Sequence, residues 1–189
     1  MKKSSRMKAL LLAFVMLWAG VLNGQVVQAE TATIAKTPGN SNPLMDHKLG
    51  ADPSALVYNG RVYIYMSSDA YEYDSNGKIK ANSFSNLNKV HLISSDDMVN
   101  WTDHGVIPVA GSGGIAKWAS GSWAPAAAHK KINGQDKFFL YFANGAGGIG
   151  VLTADSPIGP WTDPLGKALV SWSTPGVSGV VGYLIRLFW

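Results

Sequence analysis

Cysteine is absent from the 189-residue chain, glutamate occurs at only two positions, and no stretch carries the pattern of a long helix. Without cysteine the protein cannot form disulfide bonds, so a folded state must be stabilised by an apolar core. A chain of this length can bury enough surface to build one. The two glutamates are Glu30 and Glu72.

The amino-terminal segment has the composition of a secretory signal peptide. Four basic residues precede an apolar run at residues 9–22, and small residues around Ala29 fit a cleavage site. A membrane anchor or a buried helix is disfavoured, because these 14 residues are fewer than the roughly 20 that span a bilayer. We therefore expect residues 1–29 to be removed and residues 30–189 to be secreted, with no membrane association after cleavage.

The chain also has no excess of basic residues when the predicted leader, residues 1–29, is left out of the count. The full chain has a formal charge of +4, but four of its 16 basic residues lie in the leader. The remaining 160 residues carry 12 basic and 12 acidic side chains. Because nucleic-acid binding needs a basic face, this balance disfavours a nucleic-acid partner.

Short runs rich in β-branched and aromatic residues take the place of helices. Gly, Pro, Asn and Asp separate these runs, as is typical of an all-β chain. The predicted strands are residues 54–58, 61–66, 89–94, 137–143 and 149–153.

The runs occur in two copies. Each copy contains a proline followed by small residues, an Asn-Gly pair, an aromatic-aliphatic-tyrosine triplet, a strand ending in Asp, and Trp-Thr-Asp. These features start at residues 53, 59, 63, 94 and 101 in the first copy and at 125, 133, 139, 153 and 161 in the second. Each copy is predicted to be a three- or four-stranded antiparallel unit ending in a Trp-Thr-Asp turn. Such repeats are typical of β-propeller blades, although two hairpins of one sandwich would give a similar pattern.

Asp52 precedes the first predicted hairpin. Asn59-Gly60 is a strong two-residue hairpin signal, and Pro53 lacks the backbone N–H that a central strand needs. We therefore expect Asp52 just ahead of a strand at the rim of a sheet, where a reactive group can be presented. The second copy has Ala124 at this position, so the strand entrance itself does not need a carboxylate. An aspartate before a turn can also be a local hydrogen-bond acceptor, and both interpretations stay open.

Five motifs occur in the order and spacing of a known enzyme family. They begin at residues 42, 50, 63, 122 and 154 and read NPL, GADPSA, YIYMSSD, SWAP and ADSPIGPW. Through them, residues from about 40 to 181 resemble glycoside hydrolase family 43, and within it the secreted bacterial enzymes that act on arabinoxylan. The resemblance implies a five-bladed β-propeller, of which this chain would hold about two blades and the start of a third.

The resemblance also implies a reaction. Arabinofuranosyl or xylosyl groups of arabinoxylan or xylo-oligosaccharides would be released with inversion, and Asp52 would be the general base that activates water. Inversion also needs a protonated carboxyl on the other face of the sugar, about 6.5–9.5 Å from the base. In the family this acid is a glutamate, and a further aspartate tunes its pKa.

The chain departs from the family pattern after Val181, where residues 182–189 read GYLIRLFW. The acid glutamate and the pKa-tuning aspartate have no counterpart, because neither Glu30 nor Glu72 lies in a matching motif. We expect residues 30–189 to be a partial propeller domain, shortened by a frameshift or a premature stop and inactive alone. The alternative is a non-catalytic carbohydrate-binding or interaction module built from the two blades.

Further site residues are expected among the aromatic and acidic side chains. Trp123 is expected to stack on a sugar ring, with core packing as the alternative. Asp69, at the end of the second predicted strand, is expected to face the pocket and bind substrate. Trp101 and Trp161 occupy the same repeat position and are expected to pack inside the blades.

No cofactor is expected, and no metal site is predicted. The four histidines are scattered without the spacing of zinc ligands. The resemblance allows a calcium ion in the propeller channel, but its expected histidine ligand would lie beyond residue 189. Residues 145–150 match the glycine pattern of dinucleotide-binding loops, but no helix pattern follows, so a turn between strands is predicted instead.

Overall fold

The protein is described here from a computed structural model, which places residues 32–35, 42–69, 74–78 and 86–177. The predicted leader, both glutamates and residues 182–189 lie outside the described residues. The predictions made for them stay predictions. Within the described ranges, no helix is long and apolar enough to cross a membrane.

Eight strands and one short 3₁₀ turn make up the described structure, which confirms the all-β prediction. The strands are β1 (Thr33–Ile34), β2 (Leu49–Tyr58), β3 (Arg61–Asp69), β4 (Lys89–Ser95), β5 (Thr102–Pro108), β6 (Trp123–Ile132), β7 (Gln135–Ala143) and β8 (Ile149–Ala154), and the 3₁₀ turn is Gly145–Gly147. They form a five-stranded sheet in the order β1-β5-β4-β3-β2 and a three-stranded sheet in the order β6-β7-β8. Neighbouring strands are antiparallel in both sheets.

The two predicted Asn-Gly hairpins are both present. Asn59 and Gly60 connect β2 to β3 with φ angles of 49° and 76°, and Asn133 and Gly134 connect β6 to β7 with φ angles of 51° and 79°. Two successive positive φ angles are typical of the type I′ turn, whose twist matches that of the flanking strands. The local sequence therefore determines where each blade folds back on itself.

The predicted Trp-Thr-Asp turn is wrong for the first copy, because these residues lead into its fourth strand, β5. Thr102 pairs with Ser94 in the ladder between β4 and β5, and Thr162 forms a bridge to Thr153 at the same repeat position. Polar residues in this stretch resemble a turn, but burial alternates residue by residue along β5, as it does in a strand with one covered face. The first copy therefore has a fourth strand, whereas the second has three strands and an isolated bridge at the matching position, followed by a turn in which Asp163 Oδ1 accepts hydrogen bonds from the Leu165 and Gly166 amides.

Apolar side chains from facing sides of the two sheets form one core. The buried members from the first sheet include Tyr65, Val90, Leu92 and Ile107, and those from the second include Phe138, Leu140, Phe142 and Leu152. Burying such surface stabilises the fold by roughly 25 cal/mol per Å². The two sheets thus pack face to face as neighbouring blades, which confirms the predicted propeller class for the described part of the chain.

A buried carboxylate anchors the segment that leads into β2. Asp103, on β5, is only 2% exposed and accepts hydrogen bonds from His47 Nε2 at 2.8 Å and from the Gly105 amide at 2.7 Å. It also pairs with Lys48 Nζ at 2.9 Å and His91 Nε2 at 3.2 Å. Since His47 and Lys48 directly precede β2, the Asp103 cluster sets where that strand begins.

The hydrogen bonds and charges around Asp103 favour its ionised form more strongly than burial disfavours it. Burial alone would raise the pKa of Asp103, but hydrogen bonds from Lys48, the Gly105 amide and His47 hold that pKa well below its usual range. Burial lowers the pKa of His91 against the attraction of the Asp103 carboxylate. Asp103 is therefore a structural anion whose donors all come from the first blade and its lead-in.

Replacing Asp103 with asparagine should lower the free energy of unfolding by about 1–3 kcal/mol near pH 7, because Lys48, His47 and the buried His91 would lose a charged hydrogen-bond acceptor. The pKa of Asp103 is depressed in the fold, so its contribution is present above the unfolded-chain value of about 3.9 and is lost as the pH falls further. Urea unfolding near neutral pH and at about pH 3 should therefore show a smaller deficit at the acidic pH.

Asp163→Asn is the matched control, since Asp163 holds the same position in the second copy. Its partly exposed carboxylate accepts a hydrogen bond from Trp118 Nε1 at 2.8 Å, and no Lys, Arg or His side chain of the described residues forms an ion pair with it. We expect a loss of about 0.5–1.5 kcal/mol for this variant. Equal losses for the two variants would contradict the role assigned to Asp103.

Candidate active site at the rim of the two blades

Asp52 lies in a β-bulge of β2, the edge strand of the first sheet. Regular pairing reaches Ala51–Ser67 and resumes at Ser54–Tyr65, so two residues of β2 stand opposite one residue of β3. Asp52 has a φ of 50°, which is uncommon for a residue with a side chain, and its side chain is exposed. A bulge redirects the side chain at that point, and here it presents a carboxylate to solvent.

The predicted place of Asp52 just ahead of the strand is wrong by a few residues. β2 already begins at Leu49, and the bulge interrupts it at positions 52 and 53. Pro53 is tolerated because an unpaired position on an edge strand requires no backbone N–H. Asp52 is therefore held between two paired segments, which makes its position more rigid than a strand entrance would.

The second blade repeats the bulge without the carboxylate. Ala124 has a φ of 42°, and pairing shifts register between Trp123 and Ala126, just as it does around Asp52. A positive φ costs alanine more than aspartate, which tolerates this conformation more readily. The backbone bend therefore belongs to the blade plan, and the carboxylate of Asp52 is an addition to it.

Two serine hydroxyls, one on β2 and one on β3, connect the first blade to the bulged strand of the second blade. The Ala124 amide donates to Ser67 Oγ at 2.9 Å, and the Ala127 amide donates to Ser54 Oγ at 3.4 Å. Both serines are buried, and β2 and β6 are edge strands of separate sheets. The hydroxyls satisfy amide groups that would otherwise be costly to bury, and they place the two bulges side by side.

Asp69, at the end of β3, lies within electrostatic range of Asp52. Burial is the main reason that the pKa of the half-buried Asp69 carboxyl is raised, and the negative charge of Asp52 adds to the effect. Two carboxylates in one another's field are typical of acid–base sites. The structure therefore brings together two of the acidic residues that the sequence singled out.

A cavity of about 520 Å³ opens beside this pair. Asp69 lines it and Asp52 does not, so the cavity lies to one side of the bulge. The remaining lining comes from the lead-in to β2 and from β3, β4 and β5: Asp46, His47, Lys48, Leu49, Ser68, Lys89, His91 and Val106. The predicted position of Asp69 in the pocket of Asp52, and its contact with substrate, stay predictions.

Trp123 lies at the start of β6, directly before the second bulge. A Cβ atom at Gly121 would lie 3.1 Å from its Nε1, and one at Gly145 would lie 3.6 Å from its Cη2, so two glycines make room for the half-buried indole. Contact of Trp123 with sugar stays a prediction. Trp101 and Trp161 are both buried in apolar clusters, which confirms that they pack inside the blades.

Several residues at this rim carry no signal in the sequence. Asn144 Oδ1 accepts hydrogen bonds from the amides of Ser120 at 2.8 Å and Gly121 at 3.0 Å, and so ties the loop before β6 to the loop after β7. The glycine-rich stretch that follows forms the predicted turn between strands, as the 3₁₀ turn Gly145–Gly147. Scattered polar residues of this kind are identified only by the contacts they make.

Two histidines that are far apart in the sequence are neighbours in the fold. His47 and His91, 44 positions apart, meet on the Asp103 carboxylate, a cluster that their sequence spacing did not indicate. Among the described residues, no group of three or more His, Asp, Glu or Cys side chains is arranged to hold a metal ion. The calcium that the family resemblance allows is therefore not assigned to any of these described residues.

Replacing Asp52 with asparagine should lower the pKa of Asp69, because the neutral amide removes a negative charge that disfavours ionisation of Asp69. Burial is unchanged, so the pKa should stay above that of an exposed aspartate. Carboxyl ¹³C NMR titration of the chain measures this shift. Asp155→Asn on the second blade, where the carboxylate pairs with Lys137, is the control and should leave Asp69 unaffected. An unaltered titration of Asp69 in the Asp52 variant would show that the two carboxyls do not interact.

Comparisons with known proteins identify relatives of this chain. The model of "Glycosyl hydrolases family 43" matches residues 40–177. The chain is 73% identical over 167 residues to an arabinoxylan arabinofuranohydrolase of Bacillus subtilis, covering 85% of this chain and 33% of that protein. It is 72% identical over 160 residues to an arabinoxylan arabinofuranohydrolase of Paenibacillus polymyxa, covering 82% of this chain and 25% of that protein.

A solved structure shows the same relation. The family 43 arabinoxylan arabinofuranohydrolase from Bacillus subtilis, crystallised with cellotetraose, superposes with a TM-score of 0.74 at 75% identity, over 78% of this chain and 32% of that chain. The chain thus spans about a third or less of the length of these relatives. Over that span it shares their motifs and their blade structure, and it belongs to glycosyl hydrolase family 43.

Proposed function

We propose that this chain carries the water-activating part of a glycoside hydrolase that releases arabinofuranosyl or xylosyl groups from arabinoxylan or xylo-oligosaccharides. The observation that carries the proposal is the exposed carboxylate of Asp52, held on a positive-φ bulge inside the region that matches the family. The names of the relatives from Bacillus subtilis and Paenibacillus polymyxa support arabinoxylan as the substrate.

The proposed reaction is a single displacement with inversion. The Asp52 carboxylate takes a proton from water, whose oxygen bonds to the anomeric carbon while the bond from that carbon to the leaving oxygen breaks. The leaving oxygen takes a proton from a carboxylic acid on the opposite face of the sugar. Asp69, close to Asp52 and lining the cavity, would accept hydrogen bonds from sugar hydroxyls.

The proton donor is the part of this mechanism that the chain does not supply. Its two glutamates, Glu30 and Glu72, lie outside the family motifs and outside the described residues. General acid catalysis contributes about 10²–10⁴-fold to such reactions. The 189 residues on their own would therefore bind and polarise water without turning over substrate.

Export belongs to the same proposal. Arabinoxylan is a polymer outside the cell, and the basic residues and apolar run of residues 1–29 support a secretory leader. Identification of the amino terminus of the protein recovered from the culture medium would test cleavage after Ala29.

The purified chain should release no arabinose from arabinoxylan above the level of its Asp52→Asn variant, because no acid protonates the leaving oxygen. Arabinose is quantified by chromatography of the reaction supernatant. Release that is abolished by the Asp52 substitution would contradict the proposed dependence on a missing acid.

A chimera tests the role of Asp52 directly. Residues 42–177 would replace the matching segment of the Bacillus subtilis relative, which is feasible at 73% identity. We expect the chimera to release arabinose, and Asp52→Asn to lower its kcat by about 10²–10⁴-fold. Asp155→Asn is the control on the same segment and should leave the rate unchanged. A rate insensitive to the Asp52 change would exclude it as the base.

A non-catalytic carbohydrate-binding role is the second candidate. It is favoured by the half-exposed Trp172 at the rim of the second blade. Saturable sugar binding by the chain, together with a chimera that has no activity, would favour this role over catalysis.

A further inference from the structure

Trp172 is an exposed aromatic side chain that is nevertheless held in one orientation. Its indole is 52% exposed, and its Nε1 donates a hydrogen bond of 2.8 Å to the carbonyl oxygen of Ala146. Large aromatic residues normally bury most of their surface, because leaving it in water forgoes the hydrophobic stabilisation. A fixed indole with an open face offers a flat apolar surface on which a partner can stack.

The backbone around Trp172 is pinned by hydrogen bonds. The Ile149 amide donates to the Val170 carbonyl at 2.8 Å, and the Leu169 amide donates to the Ile149 carbonyl at 2.8 Å. On the other side, the Ser171 amide donates to Thr174 Oγ1 at 2.9 Å. The segment that carries the indole is thus attached to the start of β8 and does not depend on Trp172 for its path.

Direct contacts connect Trp172 with the second bulge. Ala146, which accepts its hydrogen bond, follows Gly145, and the Trp123 ring packs against Gly145. Trp123 in turn precedes Ala124, whose amide is bound by Ser67 Oγ, opposite the strand of Asp52. Both tryptophans therefore lie at the same end of the blades as the proposed base.

The residues flanking the indole are hydroxylic. Ser171 Oγ and Ser173 Oγ lie 2.8 Å apart beside it. A pyranose ring in a β-1,4-linked chain has apolar C–H faces and a perimeter of hydroxyls, so it fits a flat aromatic face with hydrogen-bonding groups at its edge.

We propose that Trp172 is a stacking platform for the β-1,4-linked pyranose backbone of the polysaccharide, outside the pocket that takes the cleaved sugar. This inference rests on the proposed function for its substrate class, and it adds a subsite that neither the motifs nor the relatives' names assign. The platform aligns the main chain across the rim of the second blade, while the branch sugar reaches towards Asp52.

Binding of xylohexaose to the full chain, measured by isothermal titration calorimetry, tests the platform. Trp172→Ala should raise the Kd about tenfold, because an aromatic contact and its buried area are lost. Trp172→Phe keeps a flat ring and should stay within about threefold of wild type. Leu165→Ala removes an apolar side chain that is 42% exposed on the same segment, and it should leave the Kd unchanged.

A second readout reports on the indole itself. The difference between wild-type and Trp172→Phe fluorescence isolates the emission of Trp172, and xylohexaose should alter it saturably, whereas the α-linked maltohexaose should not. Thermal unfolding of every variant checks that the fold is kept. An unchanged Kd in Trp172→Ala, an equal effect in Leu165→Ala, or no binding by the wild-type chain would each overturn the inference.

The experiments can refute the proposed function and the Trp172 platform independently of each other. The binding assay contains no catalytic step, so a chimera without arabinose release would refute the proposed function and leave the platform standing. Conversely, a chimera that depends on Asp52 for arabinose release, while Trp172→Ala leaves the Kd for xylohexaose unchanged, would refute the platform alone.

Discussion

The two blades are joined by apolar packing and not by a backbone ladder, and the rest of the structure depends on this constraint. Alternate residues of β7, such as Phe138 and Leu140, pack against Tyr65 and Leu92 of the first sheet. The innermost strands β2 and β6 are therefore both edges, with amides that no neighbouring strand satisfies. Buried serine hydroxyls accept hydrogen bonds from two of these amides on β6, and these bonds hold the two bulges next to one another.

Repetition of the blade explains which features are structural and which are functional. The bulge, the proline and the positive φ occur twice, at Asp52 and at Ala124, so the backbone bend is part of the blade. A carboxylate occurs in only one copy. The same comparison separates Asp103, which pairs with Lys48 and two histidines, from Asp163, which accepts a hydrogen bond from a tryptophan N–H in the second copy. Identical repeat positions thus acquire different chemistry from their neighbours.

The pKa values of two carboxyl groups in the first blade are shifted in opposite directions by their surroundings. Asp103 stays anionic because lysine, histidine and a backbone amide donate to it, and it holds the segment that enters β2. The pKa of Asp69 is raised by burial and by the charge of Asp52, and its side chain lines a cavity. The Asp103 cluster holds the segment before β2 in place. The Asp69 and Asp52 carboxyl groups are arranged as is typical of an acid–base site.

Sequence alone determined the all-β class, the Asn-Gly hairpins, the two-copy plan and the identity of Asp52, because these depend on signals between residues close in the chain. It placed Asp52 at a strand entrance and read Thr102 as a turn, since neither a bulge nor an edge pairing has a local signature. The Asp103 cluster, the Ser67 link and the fixed indole of Trp172 were decided only by tertiary structure. They join residues up to 57 positions apart, and their contacts exist only once the sheets have packed.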